Sequence, residues 1–490
     1  MNILRLIIHY FNYFCMIYTL VLSSIYILQL LIAYKQIKKT IQRKPAEDYD
    51  RYSDSENLMP VSILIPAYNE QENIAKNIAS LMTLNYPEFE LVVVNDGSTD
   101  NTHKSIIDTF GLSEIECPIK LSIPIKKIRG VYYNIKYPKL IYVDKENGGK
   151  SDALNAGINI SRYPLFVCLD ADSQLEKDAI LILSTEFIKD TKTVVAGGLI
   201  RISNGSVIEN GVWKDYKIPD TAVERFQIVE YFRAFLSGRV SWGPTNSMLI
   251  VSGAFGVFNK QIVIDVGGYK TQTIGEDMEI VLRIHRYLHE KKQKYAVLFC
   301  EDAVCWTQGP SSMKDLRSQR RRWQIGLMDS LLSHKKMFLN PRYGFVGMFA
   351  LPYSWAFELL GAPIEVLGYF IIPLSYFFGE LSLLFFLLYL AVATCLGIIL
   401  SLGGLILEQT NNKGCISSKQ VMELTRYAIL ENFGYRQYIT MCRVEGMIKY
   451  RKLKGTWGKI KRKEFNQQSK QKQENFENVI DNNPITLESK

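Results

Sequence analysis

The chain has 490 residues, 47% of them hydrophobic and 22% charged, with a formal net charge of +9. That length holds one large or two ordinary domains plus extra segments, and so high an apolar share beside so many charges means that the apolar residues are gathered in particular stretches. The positive balance does not argue for nucleic acid, because eight basic residues fall between Lys449 and Lys463, next to the last apolar segments, where they suit anionic lipid headgroups.

In chain order, the first such stretch runs from Leu6 to Tyr34 without an Asp, Glu, Lys or Arg. Its last 20 residues, CMIYTLVLSSIYILQLLIAY, are long enough to cross a bilayer core of about 30 Å. The run is too long for a signal peptide and has no small-residue cleavage site, so residues 1–44 read as an uncleaved transmembrane anchor. Lys35, Lys38, Lys39, Arg43 and Lys44 follow it while only Arg5 precedes it. The positive-inside bias then places residues 35–344 in the cytoplasm, with a cytosolic domain over 45–310.

Within that domain, short β-branched runs alternate with helical patterns: VSILIPA (61–67), a helix from Glu72, ELVVVN (90–95), a helix after DGSTDNT, KLIYV (139–143), the helix ALNAGINI (153–160) and PLFVCLD (164–170). This alternation predicts an α/β fold with a doubly wound, mostly parallel sheet. Ligands of such sheets sit at the carboxyl ends of the strands, where the sequence puts Tyr68, Asn69 and Glu70, then Asp96, then Gly149-Lys150, then Asp170 and Asp172. Residues 113–137 interrupt the alternation and read as a hairpin or surface loop.

Beyond residue 310, an amphipathic helix carrying QRRRW is expected over 311–343 at the membrane interface. Residues 344–448 form a membrane region with at least two transmembrane helices, and 421–448 is expected at the interface. One of those helices is the uncharged run 381–407; the run 345–379 is broken by prolines, Glu358 and Glu365. The basic segment and polar tail over 449–490 are expected to be disordered. The eight cysteines have no CxxC or metal spacing and read as structural.

Four motifs carry chemistry. ENGGKSDALNAG (146–157) is not a Walker A loop, because position 144, where the leading glycine belongs, is Asp144; Ser151 and Asp152 read as helix caps. Asp170 and Asp172 form a DxD that can hold a divalent cation and leave positions for phosphate oxygens. In isolation Asp172 reads equally well as a helix cap, and Asp96 as an Asx turn. Glu276 and Asp277 open an amphipathic helix, where the dipole alone favours acids but where a general base also fits.

NDGSTD, DAD, GED and QRRRW in this order, with IPAYNE and GGKSDALNAG, closely resemble the family 2 glycosyltransferases, in particular the membrane-bound processive synthases of cellulose, hyaluronan and poly-N-acetylglucosamine. The resemblance covers residues 60 to 325 and implies a GT-A-like nucleotide-sugar-binding domain flanked by transmembrane helices. It implies donor contacts from Tyr68, Glu70, Asp96, Lys150, Asp170, Gln319 and Arg322, with Mg²⁺ or Mn²⁺ on Asp170 and Asp172. Catalysis falls to Asp277 as base, with Glu276 beside it and Arg322 against the departing diphosphate. Gly253, Ala254, Phe255 and Trp323 would meet the acceptor. Where many relatives have T-E-D this chain has Gly275-Glu276-Asp277.

The implied reaction is inverting transfer from UDP-N-acetylglucosamine or UDP-glucose to a growing β-linked polysaccharide at the cytoplasmic face of the cell membrane. The alternatives are a single transfer to a membrane lipid and a transport or scaffold subunit with an inactive domain. Expected partners are the UDP-sugar, a glycan or lipid acceptor, the bilayer and an accessory export or regulatory subunit, but no nucleic acid.

Overall fold

The structure, a computed structural model, describes residues 3–43, 52, 57–209, 212–215, 217–411 and 416–453. The tail expected over 449–490 thus lies outside the described residues from 454 onward. The strands are β1 (Val61–Ala67), β2 (Phe89–Asn95), β3 (Ser113–Ile115), β4 (Ile128–Tyr133), β5 (Leu140–Lys145), β6 (Leu165–Leu169), β7 (Gln174–Leu175), β8 (Thr193–Ile202), β9 (Val207–Glu209), β10 (Val212–Asp215), β11 (Phe255–Asn259) and β12 (Ala296–Thr307). Ten of them form one sheet in the order β3-β4-β5-β2-β1-β6-β11-β8-β12-β7, while β9 and β10 pair separately.

The centre of the sheet, β5-β2-β1-β6, is parallel and almost wholly buried. Continuous Val/Ile/Leu runs suit that position because both faces are covered. On one face pack α2 (Ile74–Leu81), α3 (Thr102–Phe110), α5 (Ala179–Lys189) and α6 (Ala222–Phe232). On the other lie α4 (Lys150–Ile160) and α7 (Glu276–Glu290). The expected doubly wound α/β class is therefore present.

Two additions extend this centre: the first lies where a hairpin or surface loop was expected, and the second was not read from the sequence. Residues 113–137 build a β3–β4 hairpin that extends the sheet edge antiparallel to β5. Strand β11 enters antiparallel between β6 and β8; its segment, VSGAFGVFN, gives no separate period because both of its neighbours are buried strands.

Helix α8 (Met313–Ser333) carries QRRRW, followed by α9 (Gly361–Phe377), α10 (Leu383–Asn411), α11 (Ser418–Leu430) and α12 (Tyr435–Ile448). With α1 (Ile3–Arg43), three stretches among the described residues are long and apolar enough to cross a membrane: Arg5–Arg43, Val346–Phe377 and Leu383–Asn411. The ends of these helices join the domain core: Ala33 and Ile37 of α1, and Leu405 and Leu407 of α10, are buried in the same apolar cluster as β1 and β2. A buried ion pair, Arg201 of β8 with Glu408 of α10 at 2.8 Å, fastens the same seam.

Candidate active site

The parallel register sets Ala67 beside Asn95, and Asn95 beside Asp144, so the loops after β1, β2 and β5 leave the sheet at one level. In the turn after β5, Gly149 has φ +87°, a conformation that a side chain would strain. Asp96 grips this turn: Oδ1 accepts from Gly148 N at 2.9 Å and Oδ2 from Gly149 N at 2.7 Å. Beneath it, the fully buried Lys145 reaches Asp96 at 2.7 Å and Asp152 at 2.5 Å. The carboxylate expected as a donor contact is thus also what shapes the Gly-Gly turn.

Ser151 and Asp152 do not cap α4. The helix begins at Lys150 behind Gly149 with no side-chain cap, which puts both residues inside its first turn. Asp152 turns instead to Lys145 and to the backbone N–H of Lys126, and so ties the β3–β4 connection to the turn. Asp172 is no helix cap either, since α5 starts behind Asp178.

Lys150 projects the other way. Its Nζ lies 2.5 Å from Asp170 Oδ1 and 3.6 Å from Glu276 Oε1, and donates to Gly253 O at 3.2 Å. Burial acts to lower the lysine's pKa, but Asp170 and Glu276 outweigh it and hold the ammonium above its ordinary value. Burial pushes Asp172 up to about 7, with the charge of Asp170 adding to it. Glu276 is likewise raised to about 7 by burial and by Asp277, against the pull of Lys150. The charge of Arg322, which lines the same cavity, bears on both Asp172 and Glu276.

A buried carboxylate raised by burial and then by a neighbouring carboxylate gains from a divalent cation that offsets both. Among the described residues no group of three or more His, Cys, Asp or Glu converges as a ligand set. Asp170 and Asp172 would therefore supply the protein's share and leave the other positions to water and phosphate oxygens, an arrangement Mg²⁺ prefers.

Glu276 and Asp277 occupy the first turn of α7, as expected, and Asp277 Oδ1 accepts from Met278 N at 2.8 Å. Here α8 crosses backbone to backbone: a Cβ on Gly275 would lie 2.7 Å from Gly326 Cα. The departure from T-E-D is explained by that contact, since a threonine has no room. Within QRRRW, Arg320 pairs with Glu230 at 2.8 Å and lies over Trp323 at 4.2 Å, and Arg321 pairs with Glu445 at 3.0 Å. Trp323 is left exposed.

Every expected site residue except Phe255 lines one cavity of about 3010 Å³. Phe255 is fully buried: as the first residue of β11 its ring turns into the core against Gly198, so it is not an acceptor contact. At its other end the cavity runs between the apolar helices, past Tyr18, Tyr26, Glu365 and Tyr389. There Glu365 accepts from Tyr369 Oη and from Thr440 Oγ1.

Sequence reasoning missed Lys145, Asn77 and Glu230. Asn77 Nδ2 donates to Ala171 O at 2.9 Å and steadies the DxD loop. Glu230 accepts from Arg320 and from Tyr435 Oη, each within 2.9 Å, and so sets the platform under Trp323. Only Lys145 left a trace, as a lysine ending an apolar strand between acid-tipped neighbours.

Comparison with known proteins gives the family. Residues 62–118 match the model of glycosyl transferase family 2, and residues 165–398 that of glycosyl transferase family group 2. A poly-β-1,6-N-acetyl-D-glucosamine synthase of Staphylococcus aureus (strain COL) is 30% identical over 329 residues. That match spans 66% of this chain and 66% of the relative, just under two thirds of the relative's own length. The enzyme of the same name from Staphylococcus epidermidis (strain ATCC 35984) is 30% identical over 281 residues, 57% of each chain. A solved mannosyltransferase from Pyrobaculum calidifontis, in complex with GDP-Man and Mn²⁺, has a TM-score of 0.49 at 14% identity, covering 89% of this chain and 98% of its own. The two matched segments carry β1, β2, β6 and the DxD acids, and the chain belongs to glycosyltransferase family 2.

Proposed function

We propose that this chain is a processive, inverting glycosyltransferase that extends a β-linked polysaccharide from a UDP-sugar at the cytoplasmic face of the cell membrane. The observation that carries this reading is the single cavity, which joins Lys150, Asp170 and Asp277 to a space between the membrane-spanning helices. A lipid-modifying enzyme needs a lateral groove for its acceptor; a polymer needs a passage that begins where the bond is made. UDP-N-acetylglucosamine is favoured as donor by the names of the staphylococcal relatives.

The chain's own residues divide the reaction between two ends. Tyr68, half-exposed at the end of β1, offers a face for the uracil ring. Asp277 takes the proton from the acceptor hydroxyl, held beneath its substrate by the first turn of α7. Lys150 and Arg322 set positive charge where the diphosphate departs, so charge developing on the leaving oxygens meets fixed partners. Mg²⁺ or Mn²⁺ on Asp170 and Asp172 would add Lewis-acid stabilisation of the same oxygens. Trp323 gives the acceptor sugar an aromatic face, and a single displacement converts an α-linked donor into a β-linkage.

The test is product size. Purified full-length chain in lipid nanodiscs, given radiolabelled UDP-N-acetylglucosamine or UDP-glucose with Mg²⁺, should release UDP and yield high-molecular-weight, β-glycosidase-sensitive material. A lipid-linked monosaccharide as the sole product would replace this reading with single transfer, and no UDP release from either donor would overturn both.

A further inference from the structure

We propose that Lys150 occupies the cation position of the Asp170–Asp172 pair in the donor-free protein, so that a divalent cation enters only with a nucleotide diphosphate that draws the lysine away. The inference rests on the reading above, in which those acids take a metal-bound diphosphate.

Of the two DxD carboxylates, Asp170 is the accessible one, with 29% of its side chain exposed, while Asp172 is buried. Lys150 Nζ covers the accessible one at 2.5 Å. A divalent cation bound to the same carboxylate would lie within a few ångströms of the ammonium, and the two positive charges would repel in a site partly shielded from water. The positive charge of Arg322, which bears on Asp172 and Glu276, adds to that repulsion. A bare ion is therefore opposed; an ion arriving with a diphosphate is not, because the phosphate oxygens offer both Lys150 and Arg322 new acceptors.

The lysine also has a place to go. Gly253 O at 3.2 Å and Glu276 Oε1 at 3.6 Å already hold it from the far side. Release from Asp170 leaves it two acceptors and requires a shift of the side chain alone. The space for that shift exists because residue 253 has no side chain: a Cβ there would lie 3.2 Å from Nζ. Lys145, only five residues earlier, has no such freedom, since Asp96 and Asp152 enclose it with no exposed surface. Lys150 is on this account a positioning residue that makes metal loading depend on the nucleotide.

The experiment is Mn²⁺ binding followed by electron paramagnetic resonance on the full chain in nanodiscs, with and without UDP. The wild type should bind Mn²⁺ alone at least tenfold more weakly than with saturating UDP. Lys150→Met should tighten UDP-free binding at least tenfold, and Lys150→Arg, which keeps a cation of similar reach, should leave it weak. Adding Asp170→Asn to Lys150→Met should remove the gain, which assigns the ion to the DxD. Wild type that binds Mn²⁺ equally well with and without UDP, or Lys150→Met that binds it no more tightly than wild type, would overturn the inference while leaving the donor reading standing. Wild type that binds no Mn²⁺ even with UDP would overturn both.

Discussion

Two lysines flank the same Gly-Gly turn, and each meets two carboxylates. Lys145 sits beneath the turn, fully buried, clamped between Asp96 at 2.7 Å and Asp152 at 2.5 Å. Lys150 sits above it, lining the cavity, between Asp170 at 2.5 Å and Glu276 at 3.6 Å. The difference lies in what surrounds the acids. Below, backbone amides complete the shell of Asp96 and the arrangement is closed. Above, Asp172 and Glu276 are raised toward neutrality by burial and by their neighbours Asp170 and Asp277, and the arrangement can exchange partners. A lysine with two acids can thus brace a fold or wait for a substrate, and only the third layer of contacts distinguishes the two.

The comparison breaks most visibly through Lys145. Lys145→Met leaves two buried carboxylates unpaired, which costs about 3–5 kcal/mol, so thermal unfolding should show a large loss of stability. Lys150→Met should cost clearly less, because its acids can take up protons or water from the cavity. Equal losses for the two variants would erase the distinction drawn here.

Asp277→Asn sharpens it from the acceptor side. Loss of a general base should lower turnover by about 10²–10⁴-fold, while UDP binding by calorimetry stays near the wild-type value. Gly275→Thr, which restores the side chain many relatives carry, pushes Cβ against Gly326 and should cost about 1–3 kcal/mol of overpacking, read as a lower melting temperature together with reduced turnover.

The smallest effect per step measured is a pH slope. Glu276 is raised in the folded, donor-free protein to about 7 from its ordinary 4.5, so between those values the unfolded chain loses its proton first. Stability contributed by this group therefore falls as pH rises from 4.5 to 7 and is flat above, by about 1 kcal/mol per pH unit. Glu276→Gln should flatten that part of the profile in melts at stepped pH.

The parallel centre of the sheet was legible because uninterrupted β-branched runs alternate with helical periods, and the site was legible because the acids stand at strand ends. Phe255 was misread for a related reason: in GAFG it follows the loop that lines the cavity, and one residue decides whether a side chain faces the cavity or the core. Strand β11 stayed hidden because direction within a sheet leaves no mark on a buried apolar run, and the hairpin expected over 113–137 was read without its place at the sheet edge for the same want of a pairing signal. The roles of Lys145 and Glu230 depend on partners 49 and 90 positions distant, which no local pattern encodes.

The seam between the membrane helices and the sheet has a consequence for how the protein is made. Ala33 and Ile37 from the beginning of the chain and Leu405, Leu407, Leu424 and Ala428 from near its end are buried in one cluster with β1 and β2. On a ribosome the first of these emerge some four hundred residues before the last. The domain's own segment therefore does not complete this core by itself; the later helices must arrive to cover its remaining side. Assembly of the sheet and of the apolar helices is in this sense a single event, and the core is complete only when both ends of the described chain have joined it.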